Sequence, residues 1–208
     1  KTGKKAFDLA DKYRNPVLIM GDGLIGQMME PIEWHEIPHR ELPPKDWATT
    51  GKHGRSHPNF VTSLSIDPND CNEMNQRLAR KYALITEKEI RYEAKDCEDA
   101  EVVLVAYGTP ARVVLSAIEE LRRQGVKAGL FRPITLWPFP EKQLHDLAGE
   151  DHVKVVVDVE MSLGQMIDDV RLAVEGQKPV KFAGVAGGLI PTVEDIVEAA
   201  KNALKEAE

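Results

Sequence analysis

Between Ala100 and Gly176 three short apolar runs, Val102–Ala106, Val126–Phe131 and Val153–Val157, alternate with helical patterns, and each run stops at a polar or glycine corner. Runs with no polar face suit strands buried on both sides, so the pattern predicts a parallel sheet with helices on both faces. The helices have matching stripes: Val113, Val114, Ala117, Ile118 and Leu121 in the first, and Met166, Ile167, Val170, Ala173 and Val174 in the third. Thr109-Pro110 offers an N-cap followed by proline at the first helical position, and Gly125 and Gly176 stand where a left-handed C-terminal residue belongs. A further strand around Val180–Val185 leads into a last helix from about Val193 to Leu204. That helix has Thr192 and Asp195 as a capping box and a buried stripe of Ile196, Ala200 and Leu204. The expected order is βαβαβαβα, and the expected class is a three-layer α/β/α domain with a mostly parallel sheet over residues 96–208.

The pattern upstream is different. Residues 1–34 predict a short helix with Phe7, Ala10 and Tyr13 on one face, a strand at Val17–Met20, a glycine corner and one more turn at Ile25–Met29. One helix and one strand cannot close a core, so this stretch is expected to be the remnant of a second α/β domain. Residues 35–95 predict a connector. Pro31, Pro38, Pro43, Pro44, Pro58 and Pro68 break any sustained period, and one helix follows at Asn72–Lys88 with Met74, Leu78, Ala79, Tyr82 and Ile85 available for a face.

With 208 residues and 42% apolar content the chain can bury a real core. A net charge of −7 argues against a nucleic-acid surface. The two cysteines, Cys71 and Cys97, have no CxxC pairing and supply neither a zinc site nor the ligands of an iron–sulfur cluster. This usage points to a reducing cytoplasm, and no run approaches the ~20 apolar residues of a membrane span. Opening on Lys1-Thr2-Gly3, the chain reads as a fragment or processed piece.

Three places offer chemistry. Gly21-Asp22-Gly23-Leu24-Ile25-Gly26 meets G-x-G-x-x-G directly after an apolar run, the spacing that brings backbone close to a pyrophosphate. The second apolar strand ending in an acid is missing, so a tight strand-to-turn corner competes with a nucleotide site. His35 and His39, and again His53 and His57, stand at i, i+4, but their proline and glycine context denies the helix a metal pair needs. The carboxyl ends of the parallel strands are the third place, because ligands of open sheets gather there. Arg132 and Glu160 fall on this rim, where they would pair with each other or with a charged ligand; Asp22 is the remaining candidate.

Leu104–Gly108, Leu121–Val126 and Arg132–Pro140 resemble the transketolase C-terminal-like domain. Glu160–Met166, Gly187–Thr192 and Trp47–Gly51 resemble the alpha subunit of 2-oxoacid:ferredoxin oxidoreductases, most closely the 2-ketoisovalerate (3-methyl-2-oxobutanoate) branch. The resemblance implies that residues 1–34 end a pyrimidine-binding domain. It also implies a complete enzyme that uses thiamine diphosphate, magnesium, coenzyme A and iron–sulfur clusters to convert a branched 2-oxoacid to an acyl-CoA and to reduce ferredoxin. Those groups are expected on beta and other partner subunits or on parts this chain lacks. Gly21-Asp22-Gly23 is similar to the opening of the thiamine-diphosphate metal motif, but the first asparagine that could close it is Asn59, too far on. No catalytic residue and no metal ligand is therefore assigned to a position in this chain. The expected role is subunit assembly and site framing, inactive in isolation, with self-association of the isolated chain. The rival readings are a stand-alone module that binds a small anionic or nucleotide regulator, and the C-terminal part of another thiamine enzyme.

Overall fold

The computed structural model describes residues 2–31, 33 and 41–207. The chain divides into two compact units, one of Lys1–Met20 with Met29–Ile85 and one of Gly21–Met28 with Thr86–Glu208.

The second unit carries the sheet. Its five strands, β1 (Tyr92–Lys95), β2 (Val102–Val105), β3 (Ala128–Pro133), β4 (Val155–Glu160) and β5 (Val180–Gly184), lie in the order β1-β3-β2-β4-β5. β2 pairs in parallel with both β3 and β4, and β4 with β5, so Leu104 stands beside Leu130 on one side and Val157 on the other. Helices α4 (Gly108–Arg123) and α7 (Val193–Ala207) pack on one face against Val102, Leu104, Leu130, Val155 and Val157. Helices α5 (Glu141–Ala148) and α6 (Met166–Val174) pack on the other against Val103, Val105, Phe131 and Val156. Alternate residues of each strand thus feed two cores, which is why the runs show no polar face. The α/β class and the mostly parallel sheet are as expected.

The helix ends follow the sequence signals with one change. Gly125, at φ +83°, follows α4, and Val126 N–H reaches Leu121 O at 2.9 Å while Gly125 N–H reaches Arg122 O at 3.0 Å, the paired bonds of a Schellman ending. Thr192 and Asp195 form the reciprocal capping box of α7. Thr109 does not cap α4. It sits one residue inside the helix, and Tyr107 at the cap position gives no side-chain bond. The sheet also begins earlier than residue 96, because β1 adds an antiparallel edge that pairs Tyr92 with Pro133 and Lys95 with Leu130. Each β1 side chain is exposed, so the strand has no apolar run to announce it.

The first unit contains α1 (Thr2–Tyr13) and most of α3 (Pro68–Glu89), while the described residues between 41 and 67 form neither helix nor strand. Prolines at this density account for that. The expected strand at Val17–Met20 is absent: the run is apolar, but no described strand pairs with it and its side chains are exposed. Phe7 points to solvent while Tyr13 is buried, so the α1 face is narrower than its pattern suggests. On α3 the inward stripe is Cys71, Met74, Leu78, Lys81 and Ile85, and Ala79 and Tyr82 face out. Lys81 takes its place there because its ammonium binds Arg14 O at 3.3 Å and Asn15 Oδ1 at 3.0 Å just past the end of α1. Arg14 lies 4.6 Å from the Trp47 ring centroid, and Asn59 donates to Ala48 O at 3.1 Å, so the proline-rich stretch is held by polar side chains.

Candidate functional site

In this sheet β2 sends its crossover helix α4 to one face and its neighbour β4 sends α6 to the other. The switch point where a doubly wound sheet binds ligands therefore lies at the carboxyl ends of β2 and β4. Tyr107, Gly108 and Thr109 follow β2, and Asp158 and Glu160 end β4 on the α6 side of the sheet. Asp22 also comes to this rim, from the segment just before α2 (Gly23–Gln27).

Two of the three rim carboxylates cap helices. Asp22 Oδ1 accepts from Ile25 N–H at 2.8 Å, capping α2, and Oδ2 accepts from Thr109 N–H at 3.1 Å, capping α4. Desolvation would raise its pKa, but the Ile25 and Thr109 donors more than offset this and hold the carboxyl below its ordinary value. Glu160 is buried and accepts from the backbone N–H groups of Gln165 and Ile167, each at 3.0 Å, and from the Ser162 hydroxyl at 2.9 Å. It closes the N-terminus of α6, whose cap residue Gln165 offers nothing. Burial pulls its pKa up; the hydrogen bond with the Asp158 side chain first, then the amides at the start of α6 and the Ser162 hydroxyl, bring it below the usual glutamate range. Helix N-termini attract anions through free N–H groups and the helix dipole; at α4 and α6 the chain's own carboxylates fill those places.

Asp158 is the residue that sequence reasoning did not single out. It has no solvent exposure, and no amide or hydroxyl donor reaches either carboxyl oxygen; its hydrogen-bonding neighbour is the Glu160 carboxylate. Burial, reinforced by neighbouring Glu160, pushes its pKa up to about 9, so the group is neutral at physiological pH. Tyr107, half-buried beside it, has a phenol pKa raised by burial and then by the charges of Glu160, Asp158 and Asp22. The D-x-E spacing at the end of an otherwise apolar run was the visible signal; its complete burial depends on how α6 folds back, which no local pattern encodes.

Arg132 does not meet Glu160. β2 lies between their strands, and Arg132 Nη1 instead pairs with Glu93 of β1 at 3.1 Å, both side chains about half exposed. Such a pair contributes about 0 to 1 kcal/mol. The glycine-rich corner forms the single turn of α2 with its N-terminus already held by Asp22, and a Cβ at Gly21, Gly23 or Gly26 would meet nothing within 4 Å. No close approach of backbone to a pyrophosphate is built there. His53 and His57 sit in exposed loop, while His35 and His39 lie outside the described residues. The Cys97 thiol is buried, donates to Leu130 O at 3.3 Å and is pushed up to about 12 by burial first. Among the described residues no three histidine, cysteine or acidic side chains gather as a metal site. The described residues thus fit neither a magnesium ion nor an iron–sulfur cluster, and the described rim offers no open cradle for a diphosphate.

Residues 100–196 match the family model for pyruvate:ferredoxin oxidoreductase core domain II. Ketoisovalerate oxidoreductase subunit VorB of Methanothermobacter marburgensis is 43% identical over 92% of this chain and 53% of the relative. The 2-oxoglutarate synthase subunit KorA of Methanothermobacter thermautotrophicus is 31% identical over 93% of this chain and 57% of that one. The chain therefore spans somewhat over half the length of these relatives. Among solved structures, 2-oxoglutarate:ferredoxin oxidoreductase from Magnetococcus marinus, with 2-oxoglutarate, coenzyme A and succinyl-CoA bound, matches 74% of this chain and 26% of its own with a TM-score of 0.55 and 20% identity, a likeness of fold. No helix among the described residues is long and apolar enough to cross a membrane. With a matching core domain II and homology along nine-tenths of its length to VorB, the chain is homologous to the alpha subunits of 2-oxoacid:ferredoxin oxidoreductases, ketoisovalerate type.

Proposed function

We propose that this chain works within the alpha subunit of a thiamine-diphosphate-dependent 2-oxoacid:ferredoxin oxidoreductase, and that its part there is assembly and site framing rather than chemistry. The complete complex would convert a branched-chain 2-oxoacid to its acyl-CoA and reduce ferredoxin, with thiamine diphosphate, magnesium, iron–sulfur clusters and coenzyme A held by partner subunits or by portions of the alpha subunit outside this chain. Residues 1–34 would belong to the pyrimidine-binding domain. The single observation that carries the framing role is the closed rim: Asp22 and Glu160 occupy the helix N-termini at the switch point, so the donors that would bind a substrate or diphosphate there are already taken. A reactive cofactor needs a site that fixes its orientation and excludes water, and in this reading such a site would be assembled between chains.

Calorimetry with thiamine diphosphate plus magnesium, and separately with acyl-CoA, tests this reading on the chain alone and on the chain mixed with the family's beta subunit. Binding, together with 2-oxoacid-dependent reduction of ferredoxin, is expected only in the mixture. Tight binding of either ligand or of a nucleotide by the chain alone, lost in Arg132→Ala, would replace the framing role with a regulator-binding module.

A further inference from the structure

We propose that the N-terminus of α4 is a carboxylate seat, that Asp22 is its built-in ligand, and that occupancy of this seat holds the 21–28 segment on the α/β unit. Four observations converge there. Asp22 Oδ2 lies 3.1 Å from Thr109 N–H, a contact between residues 87 positions apart. The Thr109 side chain is 4% exposed, and its hydroxyl, facing the Asp22 carboxylate, has no other partner among the described residues. Gly108 has φ +62°, and a Cβ there would stand 3.2 Å from Asp22 Oδ2, so only glycine combines this backbone with an unobstructed approach. The cap position itself, Tyr107, contributes no side-chain bond, which leaves the helix dependent on an acceptor from elsewhere.

The surroundings set the class of ligand. Proline at 110 has no N–H to offer, so the seat supplies one backbone donor, one hydroxyl and the dipole of a 16-residue helix. Tyr107 beside it already feels the charges of Glu160 and Asp22. A singly charged carboxylate suits that balance, whereas a phosphate dianion would add repulsion without adding donors. Asp22 satisfies the seat with one oxygen while the other caps α2, so one side chain fastens the segment at both helices.

Amide exchange followed by mass spectrometry separates the two bonds. Serine at position 22 keeps an oxygen for Ile25 N–H but is too short to serve Thr109 as well. Asp22→Ala is expected to speed exchange over residues 107–112 about tenfold, the effect of losing a cap worth ~1 to 2 kcal/mol. Asp22→Ser is expected to do the same at 107–112 while sparing 23–27. Residues 155–160 of β4 report whether the fold is intact and should be unaffected. Sodium formate, compared with sodium chloride at equal ionic strength, should slow 107–112 in both variants and change nothing in the unaltered chain. Inorganic phosphate should rescue less well than formate. Unchanged exchange at 107–112 in Asp22→Ser, or equal rescue by chloride, overturns the seat; rescue by phosphate that matches formate overturns the carboxylate class. If β4 also exchanges fast in these variants, Asp22→Asn decides: with one acceptor oxygen left it should protect either 23–27 or 107–112, and protection of both overturns the proposal.

Discussion

The two units of this chain differ in where their apolar residues go. In the α/β unit Val102, Leu104, Phe131, Val156 and Val170 have no solvent exposure, and the strands are covered on both faces. Among the described residues of the other unit the buried apolar side chains are Tyr13 and Ile85, while Leu18, Met29, Phe60 and Ile66 are 78%, 98%, 86% and 88% exposed. The same residue types thus build a core in one place and a surface in the other. Apolar content alone does not make a domain; alternation that matches a sheet or helix face does. Large apolar side chains left this exposed are candidates for packing against another protein surface, which the variants below test.

Disturbing the α/β core gives the widest separation between the units. A Cβ at Gly129 would stand 2.5 Å from Asp96 O and 2.9 Å from Cys97 Sγ, so Gly129→Ala should cost about 3 kcal/mol or more in urea unfolding. Asp158 gives a pH-dependent test of comparable size. Its folded pKa of about 9 lies above the ordinary 3.8, so the folded state binds the extra proton between those values and stability falls as pH rises through that window. Asp158→Asn removes this charge cost. It should flatten the decline between pH 5 and 9 and stabilise the protein at pH 8, by a gain on the order of 2 kcal/mol after the cost of a buried amide; a steeper decline in the variant would exclude the assignment. Arg122→Ala should cost about 2 kcal/mol, since Arg122 binds Ala128 O at 2.8 Å, Asp96 O at 2.7 Å and Asp99 Oδ1 at 2.8 Å, tying the end of α4 to the start of β3 and to the turn between β1 and β2. In the other unit Phe60→Ser with Ile66→Ser should change stability by under about 0.5 kcal/mol. The same pair should shift the isolated chain from dimers or larger species toward monomer in light scattering, and an unaltered chain that is already monomeric would remove the idea of self-association. The smallest effect is expected from Arg132→Ala, under about 0.5 kcal/mol, because its pair with Glu93 is exposed.

Legibility in the sequence followed the same division. Apolar runs, the Gly125 ending and the Thr192–Asp195 box were readable because each rests on a local rule that the packed unit does not override. β1 was not, since an antiparallel edge strand reading Tyr-Glu-Ala-Lys carries polar residues in place of an apolar run. Val17–Met20 was read as a strand on composition that, in this structure, has no partner strand. At the rim, Asp22, Arg132 and Glu160 were named, but their bonds depend on contacts between residues distant in sequence. Arg132 turns to Glu93 on a neighbouring strand the pattern did not reveal, and Asp22 reaches Thr109 from 87 positions away.

That last separation has a kinetic meaning. A bond that closes so long a loop has little chance of forming early, because the entropy of closure must be met before the contact contributes anything. The Asp22–Thr109 contact is therefore expected on the late side of the folding barrier, where its energy would act on the rate at which the native unit opens more than on the rate at which it forms. The carboxylate at the head of α4 would in this sense be a brake on unfolding, lengthening the life of the folded unit more than it hastens assembly.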